Sequence, residues 1–189
     1  GSVERPRIGW CRTHQWDAVQ PEMAQCLEEA ARALSLPEAV LPERWRPLRA
    51  AHTSILWYEL ARSLADEYLR FPELMNAGLR ECCATGFAAD AQEYVAALKL
   101  AGECRARLDE AFGDFDVLLA PAAPGEAPLG EATGDPVMNV VWTLLHTPCV
   151  SLPAGQGPNG MPLGLQVIGR LGDDAHTLAC AAWLESRLR

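Results

Sequence analysis

Three short apolar runs in the last third of the sequence constrain the fold more than any other feature. They lie at residues 117–119, 150–152 and 163–168. Each is too short for a stable helix, and the turn formers around them are typical of buried β-strands that lead into loops. Helical spacing follows the first run at 138–145 and the last run at 174–188. Strands interleaved with helices predict an α/β sheet.

The middle third of the chain has the pattern of consecutive helices. Apolar residues recur at helical spacing over 50–70, and a shorter helix is predicted over 73–84 with Gly86 just past its end. Asp90 and Glu93 then resemble a capping box that opens a long helix. We therefore expect a helical middle segment between the strands.

The first third contributes one strand and one amphipathic helix. Residues 7–10 are a strand candidate, and Pro21 opens a helix with one apolar face. Residues 36–47 hold three prolines and are interpreted as a connector, with a strand remnant at 39–41. Gly1 and Ser2 are interpreted as a cloning scar.

Composition narrows the class of protein. A chain of 189 residues with 49% hydrophobic content buries a real core, and we expect one domain over residues 3–189. The net charge of -9 repels a phosphate backbone, which argues against nucleic acid as a partner. No apolar run reaches the roughly 18 residues of a membrane span. Seven cysteines without framework spacing favour reduced thiols and a cytoplasmic location.

Several chemical motifs occur, and each has a simpler structural interpretation. The glycines of 155–160 match a dinucleotide-binding pattern, but an apolar run follows them where that site needs a helix, so we predict a connecting β-loop. Cys11 with His14, and His176 with Cys180, each form only half of a metal site. We expect no metal and no cofactor.

The cluster His146, Cys149 and Ser151 offers a base, a thiol and a hydroxyl within six positions. A catalytic pair there stays an alternative, because partners usually come from separate elements of a fold. We expect instead the entry to a buried strand, with Cys149 as a small apolar filler. The only lysine, Lys99, lies in the long helix and is interpreted as a solvated charge.

Three segments in order are more specific than any single motif. They read DFDVLLAP at 114–121, then GDP at 134–136 with Asn139, Trp142 and Thr143 before LLHTPCVSLP at 144–153, then PLGLQVIGR at 162–170. In that order and spacing they resemble the carboxy-terminal half of the amidase signature family. RIGW at 7–10 is similar to the strand that opens this half, so the resemblance spans nearly the whole chain.

The resemblance implies an α/β fold in which part of a mixed β-sheet is covered by helices, with a helical middle segment. It also implies a parent enzyme that hydrolyses small amides or related carbon–nitrogen compounds. Members of the family use a serine nucleophile, a second serine in a cis peptide and a lysine, all in the amino-terminal half. This chain has no adjacent serines and no serine- and glycine-rich segment, so we assign no catalytic residue and expect the isolated piece to be inactive.

By position in the family pattern, this half would supply one wall of the substrate pocket. Four residues are predicted to bind substrate: Asp135, Asn139, Trp142 and Thr143. The alternative is a capped helix, with Asp135 as its N-cap, Pro136 at the first helical position and Trp142 in the core.

Two other functions stay open at this point. One is a non-catalytic binding or regulatory module that kept the pocket wall, and the other is a hydrolase that uses Cys149. Half of a sandwiched sheet also leaves apolar surface and strand edges uncovered, so we expect self-association.

Overall fold

A computed structural model of the chain describes residues 4–188, and its backbone forms two compact units. The first contains residues 4–46 and 105–188, and the second is Pro47–Cys104. The single domain expected over 3–189 stays a prediction. Gly1 and Ser2, interpreted as a cloning scar, lie outside the described residues.

In its described residues, the first unit contains one sheet of four strands. These are β1 (Ile8–Trp10), β2 (Val117–Pro121), β3 (Cys149–Gln156) and β4 (Pro162–Ile168), in the order β1-β2-β4-β3 across the sheet. β1 is parallel to β2, whereas β2 and β3 are both antiparallel to β4. The mixed sheet with helices confirms the predicted α/β class. β3 and β4 form a hairpin across residues 157–161, which confirms the β-loop predicted there.

Two helices cover one face of this sheet. They are α1 (Pro21–Leu34), whose first residue is the predicted proline, and α8 (Asp174–Leu188), whose bounds are those that the spacing predicted. Their buried side chains join those of alternate strand residues in one core, with these members: Met23, Leu27, Cys180, Leu184, Leu119, Leu152, Leu165 and Val167. Burial of this apolar area is the main force that holds the layers together.

The first unit also contains two short helices, α6 (Asp109–Phe112) and α7 (Val140–Leu144). A 3-10 turn at Pro136–Met138 precedes α7, so the helix predicted over 138–145 is shorter and starts differently. Trp142 of α7 is 1% exposed and meets Trp45 edge to face, with ring centroids 6.0 Å apart. In the connector, a single bridge joins Trp10 to Glu38, and the strand remnant predicted at 39–41 is absent from the described sheet.

The second unit is helical, as the sequence predicted for the middle of the chain. Its helices are α2 (Leu48–Ser63), α3 (Ala65–Arg70), α4 (Ala77–Ala88) and α5 (Ala91–Arg105). Asn76 begins α4, because its side-chain oxygen accepts a hydrogen bond from the Leu79 amide at 2.9 Å. The helix predicted over 73–84 was therefore placed too early.

Gly86 lies inside α4 and not past its end, which corrects the predicted helix boundary. A Cβ atom at this position would overlap the backbone carbonyl of Trp57 in α2. The glycine therefore permits close packing of two helices and does not end one. At the start of α5, Asp90 accepts from the Gln92 amide at 2.8 Å, but no described bond from Glu93 completes the predicted capping box.

None of the helices described for residues 4–188 is long and apolar enough to cross a membrane.

Candidate functional site

A groove of about 680 Å³ lies in the first unit, along the β3–β4 hairpin. Its floor is formed by the hairpin and its rim by the loop after β2. The side chains and backbone that line it include Gln20, Glu126, Asp135, Ser151, Pro153 and Gly164. Its size falls in the range of pockets that bind small molecules.

The exposed floor is formed because successive side chains of β3 point to opposite faces of the sheet. Val150, Leu152 and Ala154 join the core under α1 and α8, so the intervening side chains point the other way. Ser151 and Pro153 are consequently exposed and line the groove. A Cβ atom at Gly164 would lie 3.1 Å from the Ser151 Oγ, so the glycine keeps the floor open.

The rim is attached at its start to three neighbouring elements. The Ala122 amide donates to the Gly164 carbonyl at 2.9 Å, and the Asn139 Nδ2 donates to the Ala122 carbonyl at 3.1 Å. The Gln20 amide donates to the Pro124 carbonyl at 2.8 Å. These three bonds hold the start of the loop beside the groove, although the loop contains no helix or strand.

Glu126 attaches the rim to the hairpin tip. Its carboxylate accepts from the Asn159 amide at 3.0 Å, the Asn159 side chain at 2.7 Å and the Met161 amide at 3.0 Å. Burial opposes ionisation of this carboxyl, but the three hydrogen bonds outweigh it and lower the pKa of Glu126. The ionised form is thus the one that holds the loop and the hairpin together.

The four residues predicted to bind substrate fall in different environments. Asp135 lines the groove, and its Oδ1 also accepts from the Val137 amide at 2.9 Å, as the capped-helix alternative predicted. Asn139 is bonded to the rim, Trp142 is buried beside Trp45, and Thr143 is exposed. Binding of substrate by all four stays a prediction.

The residues considered as nucleophiles are poorly placed for that role. Cys149 is exposed at the start of β3, not buried as expected, because its side chain points away from the helices. Desolvation by nearby protein atoms nevertheless raises the pKa of its thiol to about 11, which leaves little thiolate at neutral pH. The Nε2 of His146 accepts from Arg105 Nη2 at 3.1 Å, so this nitrogen is already engaged.

The other reactive groups are elsewhere in the fold. Lys99 is an exposed residue of α5, 3.9 Å from Glu103, consistent with a solvated charge. Burial raises the pKa of the Cys11 thiol to about 12. His176 and Cys180 contact each other at 3.5 Å, but among residues 4–188 no group of three or more His, Cys, Asp or Glu side chains could hold a metal ion.

Gln20, Glu126 and Gly164 were not singled out from the sequence, and Ser151 was considered only as a nucleophile. The alternation of 149–154 was a usable signal, because it places Ser151 and Pro153 on the face opposite the core. Glu126 had no such signal, since its partners are 33 and 35 positions away.

Comparison with known proteins identifies the family. The family model described as Amidase matches residues 1–178. A glutamyl-tRNA(Gln) amidotransferase subunit of Thermosynechococcus vestitus is 30% identical over 206 residues, covering 89% of this chain and 42% of that protein. Its counterpart in Novosphingobium aromaticivorans is 46% identical over 87 residues, covering 42% of this chain and 18% of that protein.

Solved structures agree with this result. A crystal structure of an amidase has a TM-score of 0.89 at 26% identity and covers the whole of this chain and 47% of its own. A structure from work on the origins of an s-triazine catabolic enzyme has a TM-score of 0.85 at 24% identity, which shows the fold alone. The chain spans less than half the length of these relatives. Because the family model matches most of the sequence, the chain belongs to the amidase signature family.

Proposed function

We propose that this chain forms one wall of the substrate groove in a hydrolase of small amides or related carbon–nitrogen compounds. The observation that carries the proposal is the groove over the β3–β4 hairpin, which is preformed and of small-molecule size. Membership of the amidase signature family supplies the reaction class. The bond-breaking groups come from a part of the protein other than these 189 residues.

The composition of the groove supports a binding role without catalysis. Amide hydrolysis by a serine needs a base that removes the hydroxyl proton, together with donors for the oxyanion. Ser151 supplies a hydroxyl, but no histidine or lysine lines the groove among the described residues. We therefore propose that the isolated chain is inactive, and that its parent acts in the cytoplasm with a serine and a lysine from elsewhere.

A ligand titration tests the binding role directly. Benzamide, a small neutral amide, is added to the ¹⁵N-labelled chain while amide chemical shifts are followed. We expect saturable shifts at Ser151, Gly164 and Asp135, with little change along α8. Shifts of equal size throughout the protein, or none up to the solubility limit of benzamide, would contradict the proposal.

A matched pair of substitutions locates the ligand. Ser151→Leu places a large side chain on the groove floor and is expected to weaken benzamide binding at least about tenfold, since it occupies the space the ligand needs. Ser186→Leu makes the same change at an exposed position of α8 and should leave the affinity unchanged. Equal affinities in the two variants would exclude this groove as the binding site.

A further inference from the structure

The second unit contains a cleft of about 770 Å³ that the hydrolytic function does not use. One wall is a stretch of α2 from Arg49 to Trp57. The other wall is the end of α4 together with the start of α5, from Thr85 to Tyr94.

The cleft is open because small residues lie across from a large one. Trp57 lines it from α2, whereas the opposite wall contributes Thr85, Ala88 and Ala89. Gly86, between them in sequence, packs against the Trp57 carbonyl and fixes the distance between the two helices. The indole therefore faces space that these short side chains do not fill.

The aromatic lining is held in place before any ligand arrives. Tyr94 stacks on Tyr58 with ring centroids 4.1 Å apart and an angle of 9° between the planes. Its hydroxyl donates to Glu59 at 2.9 Å, which fixes the position of that end of the ring. A preformed aromatic surface binds a flat ligand without a further ordering cost.

Opposite charges line different walls of the same cleft. Arg49 lies on α2, and Asp90 and Glu93 lie where α5 begins. Asp90 caps the helix through Oδ1, but in the part of the chain that the structure describes neither Arg49 nor Glu93 forms an ion pair. A guanidinium and a carboxylate are thus presented to one space without neutralising each other.

We infer that this cleft binds a small zwitterion with a flat apolar body. Arg49 receives the carboxylate, because a guanidinium matches its two oxygens, and Glu93 receives the ammonium group. The body of the ligand lies against Trp57, and Tyr94 adds a second aromatic surface to the same cleft. This inference does not depend on the proposed hydrolytic role of the first unit.

Three probe molecules test the inference on the full chain. 4-(Aminomethyl)benzoate carries both charges on one ring, benzoate lacks the ammonium group, and benzylamine lacks the carboxylate. Binding is followed by NMR through the indole N–H signal of Trp57, assigned with Trp57→Phe. We expect 4-(aminomethyl)benzoate to bind with a Kd of about 1 mM or tighter, and each single-charge probe about fivefold more weakly.

Two charge substitutions separate the roles. Arg49→Gln should lower the affinity for 4-(aminomethyl)benzoate to that of benzylamine, and Glu93→Gln should lower it to that of benzoate. Arg80→Gln and Glu103→Gln are the controls, since they remove charges of the same unit outside the cleft and should change nothing. Far-UV circular dichroism confirms that each variant folds.

The inference is overturned if the zwitterion does not bind, if the three probes bind equally, or if neither cleft variant changes the affinity. If benzamide does not bind but the zwitterion binds as expected, the proposed substrate groove is rejected and the proposed zwitterion site in this cleft is supported.

Discussion

Asp135 is both a cap and a groove residue, and two substitutions separate these roles. Asparagine caps a helical turn about as well as aspartate, so Asp135→Asn should change the free energy of unfolding by less than about 0.5 kcal/mol. Asp135→Ala removes the bond to the Val137 amide and should cost about 1 kcal/mol. Urea denaturation measures both values.

Benzamide affinity then reports on the predicted binding role of Asp135. If its charge anchors the ligand, both variants bind benzamide more weakly than the native chain. A residue that is only a cap would leave the Asp135→Asn variant with native affinity.

Glu126 gives the groove rim a defined pH response. Its pKa is lowered in the folded chain, so its hydrogen bonds stabilise the fold at neutral pH. That stabilisation is lost as the pH falls below about 4.3, the ordinary pKa of a glutamate. The amide signals of Asn159 and Met161 should therefore shift together in an NMR titration with a midpoint below that pH.

The control for this titration is in the same loop. Glu126→Gln should abolish the transition at Asn159 and Met161, whereas Glu131→Gln, at an exposed position, should preserve it. A midpoint at or above the ordinary value would show that the three hydrogen bonds do not favour the ionised form.

Alanine substitutions at the helical glycines Gly86 and Gly102 should change the free energy of unfolding in opposite directions. Alanine at Gly86 would overlap the Trp57 carbonyl, and the resulting strain should lower the free energy of unfolding by about 1–3 kcal/mol. Alanine at Gly102 in α5 meets nothing within 4 Å and should raise it by about 0.5–1 kcal/mol through helix propensity. Urea unfolding followed by far-UV circular dichroism compares them, and equal stabilities would contradict the packing role of Gly86.

The two glycines also show where sequence patterns stop being informative. Strands and terminal helices were predicted because their apolar spacing reflects burial on one side, as in α8. The end of α4 was placed wrongly because a glycine is a common signal for the end of a helix. Gly86 lies inside α4 because it packs against the neighbouring helix α2. β3 was predicted too short, because Pro153 and Gly155 are poor strand residues. Both are tolerated here because β3 is an edge strand and contains a bulge between them.

The groove was less predictable than the sheet for a similar reason. Its floor follows from the alternation of β3, which the sequence contains. Its rim depends on contacts such as that of Glu126 with Asn159, which join parts of the chain that no local pattern relates. The family resemblance predicted a pocket wall, and binding measurements on single variants would test the role of each residue in it.

We propose that the isolated chain self-associates through the outer edge of β3. Within the described sheet, β3 pairs only with β4. Pro153 and the bulge interrupt its outer edge, but its eight residues carry no charge that would repel another strand. We expect the average mass from light scattering to rise with protein concentration. Cys149→Lys should suppress this rise and Ser186→Lys should not, while a monomer at every concentration would contradict the proposal.

At the scale of the whole chain, we propose that these residues form a binding wall without an activated nucleophile of their own. The decisive experiment is the rate at which the purified chain hydrolyses benzamide, measured as ammonia release and compared with a Cys149→Ala/Ser151→Ala variant prepared identically. We expect the same background rate for both proteins. Turnover of about 1 s⁻¹ in the native chain that is lost in the variant would show that the chain contains an activated nucleophile.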